Sequence, residues 1–93
     1  MLPKYRKPTH PGEILAEEFL KPMGISQTKL AAHLGWSQAK VNEIVNGKRG
    51  VTAETALALA DTFETSPEFW INLKTNHDLW EAQQEHKKRK KIA

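Results

Sequence analysis

The 93-residue sequence has no cysteine. This excludes disulfide bonds and thiolate metal sites and is compatible with a reducing compartment. No apolar run approaches the roughly 20 residues that a membrane-spanning helix requires. The opening Met-Leu-Pro-Lys-Tyr-Arg-Lys has no apolar region behind its charges, so no signal peptide is expected. A cytoplasmic protein is the default expectation. No segment alternates apolar and polar residues as a half-buried strand would, and there is no internal repeat. No combination of Ser, His and Asp has a context that would activate a nucleophile, so an enzyme is not expected.

An excess of basic charge is also missing from most of the chain. The formal net charge is +3, from 14 Lys and Arg against 11 Asp and Glu. Lys87, Lys88, Arg89, Lys90 and Lys91 lie together at the end, and without them 9 basic residues face 11 acidic ones. Basic charge is instead local. Residues 27–50 hold Lys29, Lys40, Lys48 and Arg49 against Glu43 alone, while Glu13, Glu17, Glu18, Asp61, Glu64 and Glu68 lie outside. Such a local balance suits phosphate contact.

What the sequence does contain is helix punctuation. The length predicts one domain with a modest core. Pro11 suits the first turn of a helix, and Ile14, Leu15, Phe19 and Leu20 recur at helical spacing. Pro22 and Gly24 are expected to end this first helix. Ser26 caps a second, with Leu30, Ala31 and Leu34 on its inner face and Gly35 at its end. Ser37 caps a third, which buries Val41, Ile44 and Val45 and stops at Gly47. Lys48-Arg49-Gly50-Val51 forms a tight loop. Thr52 caps a fourth helix, with Ala56, Leu57, Leu59, Ala60 and Phe63 on its buried side. Ser66-Pro67-Glu68 starts a fifth, which carries Phe69, Trp70, Leu73, Leu79 and Trp80 and fades near Glu85. The expected architecture is all-α. An extended arm spans 1–9, a helix-turn-helix domain with a C-terminal dimerisation helix spans 10–85, and a basic disordered tail spans 86–93.

The second and third helices, joined by a short turn containing Gly35, form a helix-turn-helix. In that motif the second helix enters the major groove of DNA. Gln38, Ala39, Lys40, Asn42, Glu43 and Asn46 face away from the buried side of the third helix. Gln38 lies in its first turn, closest to base edges, and a Gln amide matches adenine N6 and N7. Ala39 could touch a thymine methyl. Lys40 and Asn42 can reach guanine or phosphate. Glu43 could accept from cytosine N4 or repel phosphates that come too close. Gln27, at the start of the second helix, can hold a phosphate together with that helix end. Asn46, Lys48 and Arg49 are further phosphate candidates, and Ser37 completes the surface at the cap. A solvated polar face is the bland alternative, weakened by the turn spacing and the local positive charge.

The run Gln27, Leu30, Ala31, Leu34, Gly35, Val41, Ile44, Asn46 and Gly47 resembles the helix-turn-helix of phage-repressor-like (XRE-type) regulators. In that family the Gln opening the second helix grips a phosphate and braces the Gln opening the third against adenine. The resemblance implies this pairing for Gln27 and Gln38. Ala39 departs from the polar residue the family often carries there. His10-Pro11-Gly12-Glu13-Ile14-Leu15, Ser66-Pro67-Glu68-Phe69-Trp70 and Asp78-Leu79-Trp80 further resemble the HigA group of antitoxins. This implies a dimeric repressor that binds a palindromic operator in double-stranded DNA. It also implies neutralisation of a HigB-type toxin, an endoribonuclease that cleaves mRNA on the ribosome. A stand-alone XRE-type regulator without a toxin is the alternative. A protein-interaction module that has lost DNA binding is more remote.

No cofactor or metal is expected. His10 and Glu13 are three residues apart, but two ligands make a poor site, and His10 reads better as a cap or turn residue. His33 is expected on the solvated surface. His77 is expected to be a partly exposed helical residue or to hydrogen-bond at a dimer seam. Trp70 is expected to close the core. Phe69, Leu73 and Trp80 exceed what one small core needs, so they are assigned to a dimer seam. The assignment suits a motif that spans two half-sites about 34 Å apart.

Overall fold

The computed structural model describes residues 8–86, and within them five helices follow one another without a strand. Most of the predicted arm and all but the first residue of the predicted tail lie outside the described residues. The first helix, α1 (11–23), opens over Pro11–Ile14, widens into a π-helical turn over Leu15–Leu20 and closes over Lys21–Met23. It is followed by α2 (Gln27–Leu34), α3 (Gln38–Val45), α4 (Ala53–Phe63) and α5 (Pro67–His86).

Capping follows the sequence closely. The Oγ atoms of Ser26, Ser37 and Ser66 accept from the N–H groups of Lys29, Lys40 and Phe69 at 3.0, 3.1 and 3.2 Å. Thr52 Oγ1 accepts from Thr55 N–H at 3.2 Å. At α1 the cap is His10, whose Nδ1 accepts from Gly12 N–H at 2.9 Å. Each such bond satisfies a donor that the first helical turn leaves without a partner.

The core draws on every helix. Leu15 and Leu20 of α1 meet Leu30 and Ala31 of α2, Val41 and Ile44 of α3, and Ala56, Leu59, Ala60 and Phe63 of α4. Val51 joins them from the loop before α4, and Trp70 of α5 is fully enclosed. Trp70 Nε1–H donates to Thr65 Oγ1 at 2.7 Å, so its one polar atom is satisfied inside. Phe19 lies between Phe63 and Trp70, with ring centroids 5.1 and 5.3 Å away.

Three expectations are corrected. Pro22 does not end α1, which continues to Met23 and stops at Gly24 in the left-handed region. A helical proline lacks an N–H and clashes with the carbonyl four residues earlier. The π-helical turn just before it, where Lys21 N–H reaches Ala16 O, loosens the register at that point. Leu57 is 54% exposed rather than buried. The buried stripe of α4 runs through Thr55, Ala56, Leu59, Ala60 and Phe63, and Leu57 lies about 100° past Ala56 around the helix. His77 is buried, not partly exposed. It meets the His10 ring edge-on, with centroids 4.8 Å apart, because α5 folds back across the start of α1.

Candidate nucleic-acid interface

The turn between α2 and α3 is closed by backbone geometry. Gly35 takes φ 71°, and its N–H bonds back to the carbonyls of Ala31 and Ala32. Trp36 N–H reaches Ala31 O at 2.9 Å. The positive φ favours glycine. The inner face of α3 is then pinned by Val41 and Ile44, each 1% exposed. Its C-terminal turn is seated on the start of α1. A Cβ on Gly12 would stand 1.8 Å from Ile44 O, so only glycine permits this backbone approach.

The outer face carries the predicted residues. Ser37, Gln38, Ala39, Asn42, Asn46, Lys48 and Arg49 are exposed, while Gln27, Lys40 and Glu43 are half-buried. Gln38 and Ala39 open α3, where a recognition helix comes closest to bases. The side chains are ordered by one another. Asn42 Nδ2 donates to Gln27 Oε1 at 3.3 Å, and Asn46 Nδ2 donates to Asn42 Oδ1 at 3.1 Å. Three amides therefore form a chain from the start of α2 to the end of α3. In the chain alone Gln27 is bonded to Asn42 in the middle of α3. Asn42 lies one turn beyond Gln38 along the same stripe of α3.

Two further contacts set the cations. Arg49 grips Glu43 Oε1 through Nε at 3.0 Å and Nη2 at 2.7 Å. The Lys48 and Arg49 N–H groups both bond to Glu43 O, at 2.8 and 3.2 Å. Glu43 is thus an arginine partner in the free protein. Such an exposed pair is worth about 0–1 kcal/mol, little enough to be exchanged for a phosphate. Lys40 Nζ stands 3.9 Å from the centroid of Trp36, a cation–π contact that holds its charge at the edge of the motif. The role of Trp36 was missed from sequence, although its spacing of four residues from Lys40 was available.

The other candidates fall into place. His10 is the predicted cap, and its ring lies against Gly47 on one side and His77 on the other. His77 Nε2 is 3.4 Å from Glu81, and Nδ1 is 3.8 Å from Asp78. His33 is exposed beside a small cleft of about 210 Å³, also lined by Ile25, Lys29, Leu30 and Thr62. Among the described residues no three His, Asp or Glu side chains gather as a metal site, and no helix is long and apolar enough to cross a membrane. On α5, Phe69 is 38% exposed and Leu79 is 55% exposed, while Leu73 and Trp80 are half-buried. Phe69 also packs edge-on against Trp70 at 5.1 Å, so part of it serves the core.

A helix-turn-helix with a buried inner face and a polar outer face of amides and cations defines a DNA-binding regulator. Residues 17–70 match the helix-turn-helix family HTH_3. The antitoxin HigA-1 of Vibrio cholerae is 39% identical over 88 residues, covering 94% of this chain and 82% of that protein. An addiction module antidote protein of the HigA family from Coxiella burnetii superposes with a TM-score of 0.81 at 41% identity, covering 94% of this chain and all of that one. The antitoxin GraA, in complex with its operator, gives a TM-score of 0.81 at 42% identity over the whole of this chain and 99% of its own. The chain belongs to the HigA family of antitoxins, helix-turn-helix proteins that act as DNA-binding repressors.

Proposed function

We propose that the protein is the antitoxin of a type II toxin–antitoxin module. It works in the cytoplasm as a non-enzymatic dimer that represses its own operon and neutralises a HigB-type toxin. The observation that carries the DNA half is the outer face of α3. Gln38, Asn42 and Asn46 line one stripe of a helix whose other side is locked into the core. Gln38, Ala39 and Asn42 face the bases. Gln27, Ser37, Lys40, Asn46, Lys48 and Arg49 serve the phosphates, and Glu43 holds Arg49 until it is exchanged. That the similar antitoxin GraA forms a complex with its operator supports DNA contact by this chain. The toxin half is supported by family membership.

One experiment separates the parts. The chain is co-expressed with the neighbouring reading frame, then purified and titrated against a duplex of its own upstream region. A scrambled duplex of equal length serves as control. Co-purification with a toxin and selective binding of the upstream duplex are expected. Selective binding without a co-purifying partner would replace this reading with the stand-alone regulator. Equal affinity for both duplexes would remove the repressor function.

A further inference from the structure

The amide chain on the outer face has a consequence for which residue reads sequence. A primary amide offers two N–H donors and two acceptor lone pairs. Asn42 uses one donor toward Gln27 and one lone pair toward Asn46. One donor and one lone pair remain. If all three amides were turned over, Asn42 would still spend one of each, so this remainder does not depend on the direction of the chain. Donor plus acceptor on a single exposed amide is the complement of adenine N7 and N6–H in the major groove. Asn42 is exposed and lies one turn beyond Gln38 on the same stripe.

We infer that Asn42 reads an adenine in the middle of the α3 contact, and that Gln27 and Asn46 are its positioning residues. Resting on the assignment of α3 to the major groove, this deepens it in one respect. The family resemblance places the braced amide at Gln38. Here the brace from α2 reaches Asn42, and a second brace comes from Asn46. A side chain held at both ends loses little rotamer freedom on binding, which favours a fixed hydrogen-bonding edge over a general phosphate contact. Gln38, which Gln27 does not hold, remains free to adapt.

The test is selection from a randomised double-stranded oligonucleotide library with the full chain, followed by titration of the selected duplex and its single-base variants at several salt concentrations. Asn42→Ala should lower discrimination at one adenine by about tenfold or more, as loss of a bidentate base contact does. The slope of log affinity against log salt should stay unchanged. Gln27→Ala and Asn46→Ala should each erode preference at that same base pair. In an Asn42→Ala background, neither should alter it further. A different result for Asn42→Ala overturns the inference: preference retained at every base with affinity lowered uniformly on all duplexes, the signature of a lost phosphate hydrogen bond. A wild-type chain that enriches no sequence would instead remove the DNA-contact assignment beneath it.

Discussion

Gln38 and Asn42 carry the two amides proposed to meet base edges, and they differ in what holds them. Gln38 begins α3 directly after its Ser37 cap. Its replacement by Ala should weaken binding to the selected operator by about 1–3 kcal/mol while affinity for random duplex barely changes. Gel-shift titrations with both duplexes check this, and equal losses would make Gln38 a positioning residue. Which residues face outward was legible in the sequence, because the apolar positions Val41 and Ile44 fix the phase of α3. Which amide pairs with which was not. The Gln27–Asn42 bond crosses between helices, and its partner depends on how far apart their axes lie. Likewise Glu43 left two roles open in sequence, and the fold settles the free state by folding the loop after α3 back so that Arg49 reaches it.

At the scale of elements, α2 and α3 have eight residues each. Helices so short are marginal in isolation, so tertiary packing must supply most of their stability. Their boundaries were nonetheless readable, because caps and closing glycines act within a few residues. The misplaced features all depend on neighbours that are distant in sequence or on backbone register. Leu57 lies off the stripe that the other helices cover, His77 is buried where α5 meets the His10 ring, and Pro22 is tolerated through a widened turn. Gly12 shows the same dependence. In sequence it is a helix-start glycine, whereas in the fold it is the contact that seats α1 on the end of α3. Gly12→Ala would drive a methyl group into Ile44 O, which backbone must move to relieve. The expected cost is about 1–3 kcal/mol, the range for overpacking a close contact. A urea unfolding curve should show an earlier midpoint, and an unchanged midpoint would mean the two helices can separate there without penalty.

For the whole molecule, the question is how one small domain could gain enough affinity to select an operator. In the proposed dimer each half-site takes a single short helix, and two copies act together across about 34 Å of duplex. The core is closed by Trp70 without help from the far half of α5. Leu79 stands more than half exposed beyond it, with Leu73 and Trp80 half-buried along the same helix. Phe69 is shared, since it packs on Phe19 and Trp70 yet keeps part of its ring in solvent. In the proposed dimer a second α5 covers the part of this apolar surface that stays exposed. Trp80→Ala should therefore weaken self-association. Truncating an aromatic anchor in a subunit interface costs about 2 kcal/mol or more, equivalent to a rise of roughly 30-fold in the dimer Kd. Sedimentation should show a larger monomer fraction at micromolar protein, and operator affinity should fall in the same concentration range. Circular dichroism of the variant separates this from unfolding: an intact helical signal with a lost dimer places the seam on α5, whereas an intact signal with unchanged dimer mass places it elsewhere.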